Sequence, residues 1–214
     1  MITDYELIIF DWDGTLVNSI DWIVDCIQEI ADKHNFIRPT VQESKDVIGL
    51  SLSEAMRQLF PTINTVEKER LVEGYRRRYL SKEIIPNDLF LDTLPVLEEL
   101  KRLGKTLAVA TGKGQVGLDR SLDGTGLRHF FDELRCAETM QSKPSPHMLF
   151  DIMQATKIKA EKTLMIGDSI LDLQMANNAA VASIGVTTGA HSRARLEEHQ
   201  PKACIDTLTE LFAR

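Results

Sequence analysis

Residues 10–16 read Phe-Asp-Trp-Asp-Gly-Thr-Leu and continue the apolar run Leu7-Ile8-Ile9-Phe10. A short, unbroken apolar run of this kind is typical of a strand buried on both faces, as in a parallel sheet. The run stops at Asp11, so Asp11 and Asp13 stand at the carboxyl end of that strand. Ligands of open parallel sheets bind at this edge. The stretch therefore predicts a buried strand with a polar site at its end.

Similar apolar runs recur further along the chain, at residues 106–110, 163–166 and 182–186. Helical patterns lie between them. Residues 93–103 carry apolar side chains at helical spacing before Gly104, and Ser145 is predicted to cap a helix that has Pro146 in its first position. The alternation of strands and helices predicts an α/β fold with a doubly wound parallel sheet, similar to a Rossmann fold.

Residues 17–84 break this alternation because they carry only helical signals. Two of these signals have the spacing of capping boxes, Thr40-x-x-Glu43 and Ser51-x-x-Glu54. We therefore expect a catalytic core made of residues 1–16 and 85–214, with residues 17–84 inserted as an α-helical domain directly after the first strand.

Polar residues and one glycine follow several of the predicted core segments at the same edge of the sheet: Asp11 and Asp13, Thr111 and Gly112, Lys143, and Asp168 with Asp172 one helical turn later. Carboxylates packed together repel one another at neutral pH. A hard divalent cation would relieve this repulsion, and a site with few carboxylates suits Mg²⁺. The sequence thus predicts a magnesium site at this edge.

The residue types in this set match the needs of phosphoryl transfer to water. Asp11, ionised at neutral pH, could attack phosphorus without a separate base. Asp13 could protonate the leaving oxygen and later take a proton from water. Lys143 offers a positive charge, Thr111 a hydroxyl donor and Gly112 a backbone N–H group for the phosphoryl oxygens.

The composition of the chain limits the kinds of partner that we expect it to bind. The chain has 214 residues and a formal net charge of -7, which disfavours nucleic acid and anionic membranes as partners. No apolar run approaches the length of a membrane helix, and the first residues do not resemble a signal peptide. The three cysteines form no paired motif. We expect a cytoplasmic monomer with reduced thiols that acts on a small phosphorylated metabolite.

Four short motifs resemble those of the haloacid dehalogenase-like (HAD) hydrolase superfamily, in the same order along the chain: residues 10–16, 110–112, 143–144 and 167–172. Together they span most of the chain. The helical segment 17–84 looks like the cap that follows the first motif in the phosphoglycolate phosphatase-like branch. The resemblance implies a phosphatase whose default substrate is phosphoglycolate.

The resemblance also implies individual roles. Asp11 would be the nucleophile and Asp13 the general acid and base. Magnesium would be held by the Asp11 side chain, the Asp13 backbone carbonyl and Asp168. Asp172 would act on the metal through water or would pair with Lys143.

Other functions fit part of the pattern. Sugar-phosphate mutases and nucleotidases or pyrophosphatases of the same superfamily share these motifs. Receiver-type phospho-acceptor domains share the acceptor carboxylate but lack the helical insertion. Residues 112–117 fit the dinucleotide pattern GxGxxG, but a dehydrogenase would leave the acidic residues unexplained. The run 76–78, three arginines, is interpreted as the solvated face of a helix.

Overall fold

Six parallel strands form one sheet in a computed structural model of the chain, which describes residues 2–213. They are β1 (Leu7–Phe10), β2 (Thr106–Thr111), β3 (Glu133–Cys136), β4 (Thr163–Gly167), β5 (Ala182–Val186) and β6 (Ala203–Ile205). Their order is β3-β2-β1-β4-β5-β6, and every neighbouring pair is parallel. This is a doubly wound order. The predicted fold class is confirmed.

The helices of the described chain are α1 (Ile20–Lys33), α2 (Val41–Asp46), α3 (Leu52–Leu59), α4 (Thr65–Tyr79), α5 (Thr93–Arg102), α6 (Gln115–Thr125), α7 (His147–Thr156), α8 (Ile170–Asn178) and α9 (Arg193–Glu197). We call α1–α4 the helical insertion, since they separate β1 from the rest of the sheet. Within residues 2–213, no helix has both the length and the hydropathy that a membrane crossing needs.

Strand β1 is the centre of the core because both of its faces are covered. Its four side chains are fully buried. Ile8 and Phe10 pack on one face of the sheet with α5. Leu7 and Ile9 point to the opposite face and pack against α7, as the alternation of side chains along a strand requires. The apolar run thus forms the two-sided strand that its composition predicts.

Two strands lie outside the predicted set. In β3, Glu133 and Arg135 alternate with Leu134 and are half-buried, because β3 is an edge strand. Because β3 carries charged side chains, it does not form an apolar run and was not predicted as a strand. β6, at the opposite edge, has only three residues.

One predicted helix start is wrong. Helix α7 begins at His147, and Pro146 occupies the capping position without a side-chain hydrogen bond. The Ser145 hydroxyl instead donates to the side chain of Gln141 at 2.8 Å. Ser145 Oγ also accepts from the His147 N–H at 3.5 Å, so the serine links the preceding loop to the first residue of the helix.

The two predicted capping boxes differ. Around α2, Thr40 accepts from the Glu43 backbone and the Glu43 side chain accepts from the Thr40 backbone, so that box is complete. At α3, Ser51 accepts from the backbone of Glu54, but the Ser51 N–H donates to Ser142 Oγ at 2.7 Å. The Ser51 N–H therefore contacts the loop between β3 and α7 instead of the Glu54 side chain, and only one half of this capping box is formed.

The chain leaves and re-enters the sheet region at one place. Val17 pairs in an antiparallel bridge with Leu89. The N–H group of Asn18 donates to the carbonyl of Asp88 at 2.8 Å. The two connecting segments are therefore held side by side at the base of the helical insertion.

Candidate active site

Lys143 joins two of the predicted carboxylates. Its Nζ atom donates to Asp11 Oδ1 at 2.6 Å and to Asp172 Oδ1 at 2.7 Å. The lysine lies on the loop between β3 and α7 and is buried. Asp11 follows β1, and Asp172 lies in the first turn of α8. Residues far apart in sequence are thus brought together, as predicted.

Asp168 is enclosed directly after β4. The Thr15 hydroxyl donates to its Oδ1 at 2.8 Å, and the backbone N–H of Ala190 donates to its Oδ2 at 2.7 Å. A Cβ atom added at Gly14 or Gly189 would lie 2.4 Å or 1.9 Å from Asp168 Oδ2. Gly14 also has a φ of +84°, which favours glycine. These two glycines are needed for the carboxylate to fit.

Asp172 caps α8 from within. Its Oδ2 accepts from the hydroxyl and the backbone N–H of Ser169, at 2.6 Å and 3.1 Å. Ser169 Oγ in turn accepts from the Asp172 backbone. This reciprocal box aims the other oxygen, Oδ1, at Lys143. Of the two arrangements considered for Asp172, the structure contains the pair with Lys143.

Asp11, Asp168 and Asp172 form what we call the carboxylate cluster. One oxygen from each lies within 4.8 Å of the others, and all three side chains are buried. Burial raises the pKa of Asp11 to about 7 even though Lys143 opposes the shift, and it raises the pKa of Asp168 well above its ordinary value. Burial thus opposes ionisation of Asp11 and Asp168 in the metal-free protein, and Lys143 favours it at Asp11.

The cluster fits a divalent cation. One lysine faces three buried carboxyl groups, so a single positive charge stands against up to three negative ones. All of the available donors are hard oxygen atoms, the kind that Mg²⁺ prefers.

Asp13 stands apart from the carboxylate cluster. Its Oδ1 accepts from the Ser19 hydroxyl at 2.6 Å, and its Oδ2 lies 2.9 Å from Lys113 Nζ. Lys113 also donates to the Tyr79 hydroxyl at 2.5 Å and lies 4.3 Å from the centre of the Tyr79 ring. Asp11 and Asp13, the two acidic residues of the first motif, therefore contact different lysines: Asp11 contacts Lys143, and Asp13 contacts Lys113.

Sequence reasoning missed Ser19, Lys113 and Tyr79. Lys113 was visible only as a variable residue within the GxGxxG pattern, and Tyr79 carried no signal beyond helical spacing. The contact of Tyr79 with Lys113 depends on how the helical insertion docks on the sheet. One-dimensional patterns hold no signal for that docking.

Thr111 and Gly112 lie where β2 ends. The Thr111 hydroxyl is buried and accepts from the Lys113 backbone at 3.2 Å, which leaves its proton free for a ligand oxygen. A Cβ atom at Gly112 would lie 2.3 Å from the carbonyl oxygen of Gly49. The glycine therefore permits close approach of the helical insertion, in addition to any contact with phosphate.

A cavity of about 600 Å³ lies between the helical insertion and the sheet. Asp11, Asp13 and Thr111 contribute to its wall, together with Lys113. Asp168, Asp172 and Lys143 do not reach it and lie behind Asp11. A ligand that enters the cavity therefore meets Asp11 and Asp13 first.

Direct contacts close the boundary around this cavity. They are Gly49 with Gly112, Ser51 with Ser142 at 2.7 Å, Arg76 with Glu138 at 3.2 Å, and Tyr79 with Lys113 at 2.5 Å. We call them the junction contacts. The structure therefore represents a closed arrangement of the helical insertion over the site.

A second group of contacts lies beyond the cavity and involves a histidine that sequence analysis left without a role. His191 Nδ1 accepts from the Ile170 N–H at 3.1 Å, so its Nε2 carries the proton that faces Asp46 at 3.1 Å. Arg195 contacts the same Asp46 carboxylate at 2.5 Å. Burial lowers the pKa of His191, so the neutral ring ties α2 to the sheet side of the molecule.

A family model described as haloacid dehalogenase-like hydrolase matches residues 8–186. The chain belongs to this family. Among curated proteins, it is 32% identical to a probable phosphatase, IndB, of Dickeya dadantii over 96% of this chain and 91% of that protein. It is 31% identical to a phosphoglycolate phosphatase of Vibrio parahaemolyticus over 98% and 95%. The predicted resemblance is confirmed.

Solved structures agree with the haloacid dehalogenase-like fold. A putative haloacid dehalogenase-like hydrolase of Bacteroides fragilis superposes with a TM-score of 0.88 at 27% identity, over 97% of this chain and all of that one. Membership of this hydrolase family confirms the prediction that the protein is an enzyme, and the curated relatives named above are phosphatases.

Proposed function

We propose that the protein is a Mg²⁺-dependent phosphatase that hydrolyses a phosphomonoester through an aspartyl-phosphate on Asp11. One observation carries the proposal. The Asp11 carboxylate borders the cavity with Oδ1 held by Lys143, while no donor among residues 2–213 contacts Oδ2. That oxygen is left for phosphorus.

The first half of the reaction transfers the phosphoryl group to the protein. An oxygen of Asp11 attacks phosphorus, and the bond from phosphorus to the ester oxygen breaks. Asp13, as the general acid, donates a proton to that oxygen, and the alcohol leaves. Ser19 and Lys113 hold the Asp13 carboxyl group in place for this step.

The second half returns the protein to its starting state. Asp13, now a carboxylate, takes a proton from water as the water oxygen attacks phosphorus. The bond between phosphorus and Asp11 breaks, inorganic phosphate leaves, and Asp13 is protonated again. Thr111, and the N–H of Gly112, would contact phosphoryl oxygens in both halves.

The cation site completes the proposal. The side chains of Asp11 and Asp168 and the backbone carbonyl of Asp13 would hold Mg²⁺, as the family resemblance implies. When bound, Mg²⁺ supplies charge neutralisation between Asp11 and the transferred phosphoryl group. Lys143 contributes a second positive charge from the side of Asp172. Asp168 keeps both its oxygens ordered through Thr15 and Ala190.

We also propose that the protein acts in the cytoplasm as a monomer on a soluble metabolite. The net charge of -7 and the three free cysteines support this setting. Light scattering of the purified protein tests the monomer, and a mass of two chains would contradict it.

Phosphate release tests the reaction. The wild type is assayed with and without Mg²⁺ on phosphoglycolate, a sugar phosphate, a nucleoside monophosphate and pyrophosphate. Asp11→Asn should abolish turnover, whereas the exposed control Asp25→Asn should retain it. If acetyl phosphate left a stable label on Asp11 and no ester turned over, a phospho-acceptor function would replace the phosphatase.

A further inference from the structure

The walls of the cavity are largely apolar. Helices α1, α3 and α4 turn the following side chains toward it: Ile23, Ile27, Met56, Val72, Tyr75 and Tyr79. The rings of Tyr75 and Tyr79 are stacked, with centroids 5.8 Å apart and an angle of 15° between planes. Their pKa values are raised well above the ordinary range by burial, so both hydroxyls are neutral. The helical insertion thus presents an uncharged, partly aromatic wall.

The size of the cavity exceeds what a two-carbon acid requires. Its volume of about 600 Å³ is in the middle of the range of roughly 300–1,000 Å³ that holds drug-sized ligands. The junction contacts are already formed, so this volume belongs to the closed arrangement. A substrate as small as phosphoglycolate would leave most of the apolar wall against water.

Each cation that lines the cavity already has an acidic partner. Arg76 lies 3.2 Å from Glu138, and Arg77 lies 3.6 Å from Glu73. These two arginines are 51% and 75% exposed, which places them at the rim. The third cation, Lys113, pairs with Asp13. Within the described residues, no cation lining the cavity is left for a substrate carboxylate.

We propose that the preferred substrate is a phosphomonoester whose alcohol part is uncharged, predominantly apolar and larger than a two-carbon acid. This inference rests on the proposed function, because it places the phosphoryl group at Asp11 and the alcohol part in the same cavity. An anionic alcohol part would be desolvated against apolar side chains without a partner, which is unfavourable. An apolar one would remove those side chains from water.

A series of primary alkyl phosphates tests the proposal at nearly constant leaving-group basicity. Ethyl, butyl, hexyl and 2-phenylethyl phosphate are compared with phosphoglycolate in the presence of Mg²⁺. We expect kcat/KM to rise by about fourfold for each methylene group that becomes buried. Phosphoglycolate should be the poorest substrate of the set. A flat series, or a preference for phosphoglycolate, overturns the proposal.

Filling the cavity provides the matched variant. Ala55 lines the cavity from α3, so Ala55→Phe should bring the ratio of kcat/KM for hexyl and ethyl phosphate toward one. The control Ala155→Phe makes the same change on an exposed position of α7, outside the cavity, and should keep the wild-type ratio. An unchanged ratio in a folded Ala55→Phe variant contradicts the proposed location of the alkyl chain.

Binding separates this proposal from the proposed function. Calorimetry with Asp11→Asn and Mg²⁺ measures the affinity for hexyl phosphate and for phosphoglycolate without turnover. If the wild type hydrolyses nothing but this variant still prefers hexyl phosphate, the phosphatase mechanism falls and the cavity preference stands. If turnover occurs but neither assay shows the preference, only the inference about the alcohol part falls.

Discussion

Lys113 Nζ lies 2.9 Å from Oδ2 of Asp13, and the two side chains are 6% and 10% exposed. Lys113 is held from the other side by Tyr79 of the helical insertion. Tyr79 of the insertion, Lys113 of the loop after β2 and Asp13, the proposed acid and base, therefore form one chain of contacts. The insertion thus contacts, through Tyr79, the cation that lies next to the proposed acid and base.

Lys113→Met should lower kcat by about 10²-fold or more and change KM little, because Asp13 loses the group that positions it. Lys113→Arg should recover part of the loss. Steady-state kinetics on the best substrate of the panel measures both. The exposed control Lys33→Met should match the wild type. A rise in KM at constant kcat would instead make Lys113 a contact for the substrate alone.

Magnesium should stabilise the folded protein through the carboxylate cluster. At a hundred times its dissociation constant, a ligand that binds only the folded state adds about 2.7 kcal/mol. Thermal unfolding with and without MgCl₂ should therefore show a higher Tm with the metal. Asp168→Asn should remove this increment, and Asp25→Asn should keep it. An undiminished increment in Asp168→Asn would place the cation elsewhere.

The pKa of Asp11 gives a pH-dependent prediction for the metal-free protein. Its folded-state pKa of about 7 lies above the ordinary value of 3.8, so the folded state binds the proton more tightly. This group therefore favours folding at low pH, and its contribution declines as pH rises from about 4 to about 7.

Comparing the free energies of unfolding of Asp11→Asn and the wild type isolates the contribution of Asp11. Asp11→Asn does not titrate, so its free energy of unfolding relative to the wild type should increase between pH 5 and pH 8. Urea unfolding in the presence of a chelator measures the difference at each pH. A difference independent of pH, or one that decreases, would show that Asp11 is ionised throughout the range.

Gly112→Ala should force the helical insertion away from the sheet. The added Cβ atom would lie 2.3 Å from the Gly49 carbonyl oxygen, which belongs to the backbone and cannot rotate away. We expect a loss of about 1–3 kcal/mol in the free energy of unfolding, together with reduced activity.

Gly114→Ala is the matched control for this variant. Its nearest neighbour would be a carboxylate oxygen of Glu138 at 3.2 Å, on a flexible side chain, and Gly114 has a φ of -75° that alanine readily adopts. Its stability should equal or exceed that of the wild type. If Gly112→Ala and Gly114→Ala were equally stable, the backbone at Gly49 would be able to move away from the added Cβ atom without loss of stability.

Core packing on α5 gives a prediction that does not depend on function. Leu100 is fully buried, and Leu100→Ala should cost about 2–5 kcal/mol of unfolding free energy. Leu94 lies on the same helix but is 42% exposed, so Leu94→Ala should change stability by less than about 0.5 kcal/mol. Denaturant melts of both variants provide the comparison. Similar losses at the two positions would contradict the described burial.

The central strands were predictable because burial on both faces leaves an unbroken apolar run, as in Leu7–Phe10. Once those runs are aligned in parallel, the positions of Asp11, Thr111 and Asp168 follow from the fact that each run ends there. The edge strand Glu133–Cys136 lacks that signal, since it is only partly covered and carries charges.

The second set of site residues depends on tertiary docking. Ser19 and Lys113 reach Asp13 from the segments that follow β1 and β2, and Tyr79 reaches Lys113 because α4 packs over the end of β2. The spacing of residues along the sequence does not indicate which side chains will meet when two parts of the chain dock. For the same reason, the paired state of Arg76 and Arg77, which shapes the charge of the cavity, could not be inferred from the run of arginines.

The antiparallel bridge between Val17 and Leu89 has a consequence for engineering. Because the chain departs and returns at neighbouring points, replacing residues 18–88 with a different segment requires its two ends to meet only there. The closure cost of such a graft would change little with the length of the new segment. We expect the sheet to accept transplanted insertions from relatives, so that substrate choice can be exchanged as a cassette while Asp11 and Lys143 stay in place.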